Sequence, residues 1–392
     1  MNGFQLIEIK TAKDAANFIA VNVVLNKANP NYIRPLDKDV QSVFDPKKNK
    51  AFQFGQAIRW ILKNERGEFV GRIAAFVNKK YKNKGDEFPV GGMGFFDCIH
   101  DQQAASILFD AAKNWLMQHA VQAMDGPINF GERDRWWGLV VEGFQEPLYC
   151  MNYNPPYYQV LFEKYGFRPF FKQICFGMHV KQPLSPRLFI HHAIYANDPA
   201  FSARYIDKNQ LTKYADDFAT VYNAAWASHA GNKEVSPKQA RFFFKKMKPV
   251  IDEKVIWFAY HEEQPIAMFI NLPDLNQWFK YLNGNFGLWH KLKFLWIKKT
   301  KPCRRLIGLV FGVAPKFQGK GIDAYLIVEA SKVIQAPQIP YTDYEMQWIG
   351  DFNPKMIHLA ENLSDTFRSR TLTTYRYLFD QNSEFKRHPN IA

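Results

Sequence analysis

The two halves of this chain repeat one order of predicted secondary structure, and this repeat constrains the fold more than any other sequence feature. In each half, a strand and helices precede a hairpin of two strands. A further strand then leads into a helix, and a shorter helix comes before a last strand. A chain of 392 residues is long enough for two domains. The repeat therefore predicts a duplicated α/β fold, with a domain over 1–182, a linker over 183–200 and a domain over 201–392.

The composition favours an anionic partner. Lys and Arg total 51, whereas Asp and Glu total 37, which gives a formal net charge of +14. A basic surface attracts phosphorylated cofactors, nucleic acids and acidic membranes. Because hydrophobic residues make up 47% of the chain, large cores can form. We therefore expect a folded protein that binds a negatively charged molecule.

Cysteine usage and hydropathy indicate the compartment. Cys98, Cys150, Cys175 and Cys303 form no CxxC pattern, so we expect free thiols in a reducing cytoplasm and no metal site. No run of eighteen apolar residues is present, and the first residues lack a basic segment followed by an apolar one. We expect neither a transmembrane helix nor a secretory signal, while peripheral contact with the inner face of the membrane stays open.

The stretch APKFQGKGIDAYL, at 314–326, follows the predicted strand Arg305–Val313 and begins a helix. The first turn of a helix presents free N–H groups and the positive end of the peptide dipole, and glycines let the backbone approach a phosphate. The stretch lacks the GK[ST] ending of a P-loop and the GxGxxG pattern of a dinucleotide fold. It predicts an anion site that Lys316 and Lys320 favour and Asp323 opposes. The alternative is a turn that only begins a helix.

The residues from Gln318 to Asp323 resemble motif A of the GNAT acyltransferase superfamily, written Q/R-x-x-G-x-G/A, with Asp323 at the last position. The resemblance implies two tandem GNAT-like domains, each a mixed, mostly antiparallel sheet flanked by helices. It also implies that the turn amides bind the pyrophosphate of acyl-CoA and that the backbone of about 309–313 pairs with the pantetheine arm. The residues implied to bind acyl-CoA are Val313, Gln318, Gly319, Lys320, Gly321, Ile322, Asp323 and, from the second family motif, Asn353.

Five further stretches, GPINF, GLVVEGF, YNPPYY, LPD and GKGIDAYL, resemble a bacterial group of tandem GNAT-like proteins related to ceramide synthases. That resemblance implies an acyl-CoA-dependent N-acyltransferase whose acceptor is a long-chain or membrane-associated amine. Two other functions stay open. One is a non-catalytic GNAT-fold binding protein whose cofactor site is weakened by Asp323. The other is a tRNA-dependent aminoacyltransferase, although the chain shows none of that family's motifs and we expect no nucleic-acid partner.

The first half has no counterpart of the glycine turn. After the predicted strand Val90–Cys98 the sequence reads IHDQQAASIL, without a glycine. Asp101 can accept amide hydrogen bonds at the start of the following helix, and its carboxylate would compete with a phosphate. We therefore expect the first domain to bind no acyl-CoA and to act as a scaffold or as a wall of the acceptor site.

Acyl transfer to an amine needs a polarised carbonyl and a proton acceptor. Glu345 lies within an apolar predicted strand, where burial would make it a stronger base, and Tyr325 is a candidate proton donor. Asp343, Asp351 and His358 are other candidate bases. The alternative for Glu345 is a structural acid at a strand edge, and the alternative for Tyr325 is a core residue.

Polar and aromatic residues concentrate in NFGERDRWWG, at 129–138, and MNYNPPYY, at 151–158. Loops that carry paired Trp residues often bury something, so this patch predicts a pocket for the amine or a polar head. The alternative is a long solvated loop with aromatic packing. The candidate acceptor-binding residues are Asn129, Glu132, Asp134, Trp137, Asn152 and Tyr157.

The chain from Leu275 to Ile322 contains no Asp or Glu but ten Lys or Arg. Within an insertion over 273–304, the segment 278–301 suits a helix on an anionic membrane surface or a lid over an acyl chain. It also suits an amphipathic helix packed on its own domain, and its basic and aromatic residues allow RNA binding. The apolar helical face consists of Leu288, Trp289, Leu292, Leu295 and Trp296.

The predicted linker contains the adjacent pair His191 and His192. Two histidines can ligate a metal, but no third ligand lies nearby in the sequence. We therefore interpret the pair as ordinary linker residues.

Overall fold

The computed structural model describes residues 3–226 and 234–391, and within them fourteen strands form one continuous sheet. The longer strands, such as β3 and β11, are rich in β-branched or aromatic residues. The strands are β1 (Phe4–Glu8), β2 (Gly55–Asn64), β3 (Phe69–Asn78), β4 (Val90–Cys98), β5 (Ala123–Gly126), β6 (Leu139–Glu142), β7 (Arg168–His179), β8 (Phe201–Tyr205), β9 (Ile256–His261), β10 (Gln264–Pro273), β11 (Arg305–Val313), β12 (Asp343–Met346), β13 (Ile349–Gly350) and β14 (Phe367–Leu378).

Helices flank the sheet. None of the helices in the two described ranges is long and apolar enough to span a bilayer. The predicted helix at 211–228 is seen as far as Trp226, and its last two residues lie outside the described part. The helices are α1 (Ala12–Asn26), α2 (Asp37–Val43), α3 (Gln102–Met117), α4 (Tyr158–Tyr165), α5 (Pro186–Ala193), α6 (Leu211–Trp226), α7 (Pro237–Met247), α8 (Asn276–Phe279), α9 (Leu288–Thr300), α10 (Ile322–Ile334) and α11 (Pro354–Glu361).

The strand order is the same in the two halves of the sheet when each is read from its outer edge. One half runs β1-β2-β3-β4-β5-β14, and the other runs β8-β9-β10-β11-β12-β7. The pairs β4–β5 and β11–β12 are parallel, and the other pairs along this path are antiparallel. Two short strands lie off the path, since β6 pairs with β14 and β13 pairs with β7. The predicted duplicated α/β fold with mixed, mostly antiparallel sheets is confirmed.

The two halves exchange their last strands. β7 belongs to the first half of the chain but pairs with β12, whereas β14 ends the second half but pairs with β5. From the sequence we expect the strand FKQICFGMHV, at 171–180, to close the first half, but in the sheet this strand lies between β14 and β12. Periodicity could not reveal the exchange, because strand order depends on pairing between residues far apart in sequence. The domain boundaries at 182 and 201 stay a prediction, and the sheet itself does not follow them.

A buried ion pair joins β5 to β14. The Nε atom of Arg376 on β14 donates to Oδ1 of Asp125 at 2.6 Å, and both side chains are nearly inaccessible to solvent. The same guanidinium contacts Asp86 at 2.8 Å and lies 3.7 Å from the ring centre of Phe170. A charge so deeply buried is tolerated only when it is paired. This contact therefore holds β14, which comes from the second half of the chain, beside β5 of the first half.

We expect Arg376→Met to destabilise the protein far more than Arg387→Met. The first variant leaves Asp125 buried without its arginine, which costs about 3–5 kcal/mol. The control, Arg387, pairs with Asp351 at 2.5 Å but is 56% exposed, so its loss costs about 0–1 kcal/mol. Urea denaturation followed by circular dichroism gives both values. Similar losses in the two variants would show that the Asp125–Arg376 pair does not hold the exchanged strand.

Candidate anion-binding site at the glycine turn

One edge of β11 is open where the strand approaches the glycine turn. β12 pairs with β11 only from Arg305 to Gly308, and the Gln347 amide then donates to the Gly308 carbonyl at 2.9 Å. The register with β10 shifts here, which leaves Leu309 as an extra residue. Between Leu309 and Val313, β11 therefore has a strand partner on the β10 side but none on the β12 side within the described residues. Its free backbone groups on that side can pair with an extended ligand.

The glycine turn, defined here as residues 318–321, follows this edge directly. Gly319 and Gly321 have φ angles of 70° and 86°, in the left-handed region that favours glycine. Gly321 is the N-cap of α10, and no side chain from residues 3–226 or 234–391 caps this helix. Within the described ranges, the amides from Gly319 to Ala324 donate to no protein acceptor. The turn therefore presents unpaired N–H groups at the positive end of a helix dipole, as an anion site requires.

The charges beside the turn are unpaired as well. Lys316 and Lys320 are exposed, and neither forms an ion pair with a described residue. Asp323, in the first turn of α10, accepts no hydrogen bond from any described residue. Its carboxylate therefore does not occupy the free amides, although its charge still opposes an anion. The side chain of Gln318 donates to the Val313 carbonyl at 2.9 Å and closes the turn.

The linker helix α5 packs on the start of α10. A Cβ atom on Gly321 would come within 2.9 Å of the His191 side chain, so His191 lies directly against the turn. His192 contacts Glu329 at 2.6 Å between Nε2 and Oε1, and the Tyr195 hydroxyl donates to the Lys320 carbonyl at 2.6 Å. The histidine pair thus holds α5 against α10, and its interpretation as linker residues stays a prediction.

Tyr325 lies one turn after Gly321 and faces the linker. Its ring centre is 5.6 Å from that of His192 and 5.9 Å from that of Tyr195. Desolvation, with a contribution from Glu329, raises the pKa of Tyr325, so the hydroxyl stays protonated at neutral pH. A protonated hydroxyl near the turn is compatible with a proton donor, and that role stays a prediction.

Glu345 does not occupy the environment that we expected for a general base. Its carboxylate accepts from Nε of Arg370 at 2.6 Å and from the second guanidinium nitrogen of Arg370 at 3.1 Å. The Ser369 hydroxyl donates to it at 2.9 Å, and Arg305 lies 3.9 Å away. Two side chains of β14 and one of β11 therefore surround the Glu345 carboxylate. Glu345 joins β12 to β14, and these contacts favour the structural acid that the sequence left as the alternative to a catalytic base.

Asn353 and the remaining candidate bases have local partners. The Asn353 side chain accepts from the Met356 amide at 3.3 Å and caps α11, which leaves its cofactor role a prediction. Asp351 pairs with Arg387 at 2.5 Å, and Asp343 lies 3.4 Å from His179. None of these contacts assigns a base.

The six predicted acceptor-binding residues do not form one pocket. Asn129 and Glu132 line a cleft that also contains Lys246 of α7, whereas Asn152 lines a separate, smaller cavity. The hydroxyl of Tyr157 donates to a backbone carbonyl. Trp137 is buried and Asp134 is exposed. Asn129 and Glu132 therefore share one cleft, whereas Asn152 lies in another cavity.

In the first half, the counterpart of the open edge is closed by the chain itself. The Ile128 amide donates to the Met93 carbonyl at 2.8 Å, and a Cβ atom on Gly94 would approach the Ile128 carbonyl oxygen to 2.0 Å. At the end of β4, the Tyr158 hydroxyl accepts from the Cys98 amide at 2.8 Å. Sequence reasoning missed these residues, although the GPINF and PPYY stretches that carry them stood out.

The start of α3 in the first half is capped by a side chain. The Asp101 side chain accepts from the Ala104 amide at 2.9 Å, as the sequence predicted. The second half has the uncapped Gly321 in the equivalent place. This geometry supports the prediction that the first half binds no acyl-CoA.

α9 displays an apolar face to solvent. Phe294 and Ile297 are buried and attach the helix to its own domain. On the other face, five large apolar side chains are between 54% and 79% exposed. One face of α9 therefore packs on its own domain, and the opposite apolar face is exposed to solvent. The exposed residues are Leu288, Trp289, Leu292, Leu295 and Trp296.

Comparisons with curated proteins identify two similar sequences, whereas no family model matches the chain. A protein of Caulobacter vibrioides named bacterial ceramide synthase is 26% identical over 367 residues, which cover 92% of this chain and 94% of that protein. Protein YghO of Escherichia coli is 24% identical over 357 residues, covering 89% of each chain. The predicted similarity to the group related to ceramide synthases is confirmed at the level of sequence.

Solved structures show the same architecture. A tandem GNAT protein from the clavulanic acid biosynthesis pathway superposes with a TM-score of 0.54 at 9% identity, covering 97% of this chain and 100% of that one. A GCN5-related N-acetyltransferase from Sphaerobacter thermophilus gives a TM-score of 0.51 at 10% identity, covering 100% and 98%. The chain therefore has the GNAT fold in its tandem form.

Proposed function

We propose that this protein is an acyl-CoA-dependent N-acyltransferase whose cofactor site lies in the second half. The observation that carries the proposal is the row of unpaired amides at the glycine turn, directly after the open edge of β11. The sequence similarity to a protein named bacterial ceramide synthase supports a long-chain or membrane-associated amine as acceptor. We place the protein in the cytoplasm, peripheral to the inner face of the membrane.

Each part of the site has a role in binding the CoA thioester. The amides from Gly319 to Ala324 donate hydrogen bonds to the pyrophosphate, with Lys316 and Lys320 adding positive charge. The pantetheine arm lies along β11 and pairs with the backbone between Leu309 and Val313, as an added strand would. The thioester then lies near the point where β11 and β12 separate.

The reaction transfers the acyl group without a change in oxidation state. The lone pair of a neutral amine attacks the thioester carbon, the new C–N bond forms and the C–S bond breaks. The proton lost by the amine balances the proton gained by the CoA sulfur. Backbone N–H groups at the end of β11 can polarise the carbonyl, and Tyr325 is our candidate donor to sulfur. Glu345 holds β14 and takes no part in this step.

α9 supports the membrane part of the proposal. Its exposed apolar face is flanked by lysines, and Lys291 and Lys293 are both exposed. Apolar side chains enter the interface between headgroups and acyl chains, while lysines bind anionic lipids. This arrangement would bring a membrane-bound amine to the protein.

The glycine turn is tested by Gly319→Ala, with Gly67→Ala as a matched control. Both glycines have positive φ angles, 70° and 75°, and a Cβ atom on either would meet nothing within 4 Å. The strain cost is therefore similar, about 1–2 kcal/mol. We expect only Gly319→Ala to weaken coenzyme A binding, by about tenfold or more, because its new methyl group stands where the phosphate approaches. Isothermal titration calorimetry measures this difference.

Two measurements distinguish catalysis of acyl transfer from coenzyme A binding alone. Mass spectrometry of incubations with an acyl-CoA and a long-chain amine is expected to show an N-acylated product that Gly319→Ala reduces. Coenzyme A binding without any product, over a range of amines, would favour the non-catalytic alternative. Equal binding by both variants and the native protein would remove the glycine turn from the proposal.

Asp323→Asn is expected to change stability and affinity in opposite directions. Loss of a carboxylate from the first turn of α10 lowers the unfolding free energy by about 0.3–1 kcal/mol. Loss of the same charge beside the turn raises coenzyme A affinity about threefold to tenfold at low salt, and high salt suppresses both effects. Calorimetric titration and thermal denaturation provide the two measurements. A fall in affinity would mean that Asp323 takes part in binding.

The α9 face is tested by Trp289→Ser combined with Trp296→Ser. We expect this variant to lose about tenfold or more of its binding to vesicles that contain phosphatidylglycerol, because two interfacial anchors are removed. The control, Val24→Ser with Met117→Ser, changes two exposed apolar residues of the first half and should bind like the native protein. Cosedimentation with vesicles measures binding. A native protein that stays in the supernatant would exclude the membrane role.

A further inference from the structure

A second polar cavity lies away from the glycine turn, where residues of the first half meet α7 of the second. This junction cleft has a volume of about 620 Å³, which falls within the range of small-molecule sites, about 300–1,000 Å³. The residues that matter for its chemistry are Lys48, Lys50, Lys80, Asn129, Arg135 and Lys246.

The cleft carries more positive charge than its walls neutralise. Glu132 is the carboxylate that lines it, and it pairs with Arg135 at 3.2 Å. Lys48 pairs with Asp45 at 3.1 Å.

Three cations of the cleft have no such partner. Lys50, Lys80 and Lys246 contact no carboxylate in the part of the chain that the structure describes. Lys80 is held over the ring of Phe54 at 3.2 Å from the ring centre. Three unpaired ammonium groups around one cavity repel one another, and a bound anion removes that repulsion.

Asn129 supplies an independent indication of a ligand. Its side chain is only 4% exposed, and its amide nitrogen donates to the Glu132 carbonyl at 3.2 Å. Its Oδ1 atom is buried and has no hydrogen-bond partner among the described residues. A buried acceptor without a donor costs about 1–3 kcal/mol, so native proteins retain one where a ligand or water completes the bond. Asn129 lines the cleft, but its Oδ1 atom is covered in this structure, so a ligand donor reaches that acceptor only after the amide turns toward the cleft, next to cations for a ligand anion.

We propose that the junction cleft binds a phosphate monoester that carries a hydroxyl or ammonium group. The phosphate contacts Lys50, Lys80 and Lys246, and the ligand donor bonds to Oδ1 of Asn129. A dianionic phosphate matches three ammonium groups better than a carboxylate does, since it has twice the charge and more acceptor oxygens. This site is separate from the glycine turn, and the proposal does not depend on acyl transfer.

The test uses the full chain and three soluble probes: glycerol 3-phosphate, inorganic phosphate and glycerol. Isothermal titration calorimetry should show glycerol 3-phosphate binding more tightly than inorganic phosphate, and glycerol not at all. Lys50→Ala combined with Lys246→Ala should weaken both anions by about tenfold or more. The control, Lys13→Ala with Lys27→Ala, removes two exposed lysines that form no ion pair with a described residue. It carries the same net charge and should bind like the native protein.

A second variant tests the donor contact. Asn129→Ala should leave inorganic phosphate binding in place and reduce the preference for glycerol 3-phosphate over inorganic phosphate to about one, because the acceptor is gone. Equal weakening by both lysine pairs, or a preference that Asn129→Ala leaves intact, would overturn the proposal.

A further arm identifies the source of the phosphate. Vesicles containing phosphatidic acid are tested in the Trp289→Ser and Trp296→Ser background, so that α9 does not contribute. Binding that Lys50→Ala with Lys246→Ala removes would assign the cleft to a lipid headgroup. Binding of glycerol 3-phosphate without vesicle binding would assign it to a soluble metabolite. Failure of both the soluble esters and the vesicles to respond to the cleft lysines would exclude a phosphate site here.

Discussion

The pairing of β7 with β14 at the centre of the sheet is the interaction on which the rest of the architecture depends. Their pairing begins at Phe367 opposite Gly177 and ends at Arg376 opposite Arg168. β7 also pairs with β12 of the second half, and β14 also pairs with β5 of the first half. Two separate sheets would leave four edges open to other chains, whereas the joined sheet leaves two. The exchanged strands also carry the arginines that neutralise Asp125 and Glu345.

The two halves share one architecture but differ in what fills the gap beside their parallel strand pairs. In the first half, Ile128 and the hydroxyls of Tyr157 and Tyr158 satisfy the backbone of β4, and Asp101 caps the next helix. In the second half, β11 keeps a free edge and Gly321 leaves its helix uncapped. Since an unpaired backbone group gains most from a ligand that bonds to it, this asymmetry is the reason why we propose the cofactor site in the second half.

The positive charge of the chain is divided among three surfaces with different chemistry. At the glycine turn, the lysines lie beside exposed backbone amides. On α9, they lie beside large exposed apolar side chains. In the junction cleft, they lie near Asn129, whose Oδ1 atom has no hydrogen-bond partner among the described residues. Charge alone predicts an anionic partner in each case. Our proposals of a pyrophosphate, a membrane surface and a small phosphate ester rest on the neighbouring groups, which add a directional or an apolar requirement.

Local patterns in the chain were enough to predict the duplicated order, the strands Val90–Cys98 and Arg305–Val313, the Asp101 cap and the glycine turn. These follow from periodicity, capping and backbone preferences within a few residues. The strand exchange, the arginine contacts of Glu345 and the presence of Asn129 and Lys246 in one cleft became visible only in the folded protein. Those features join residues far apart in the chain, so the free energy that selects them comes from packing and charge pairing, which no local pattern records.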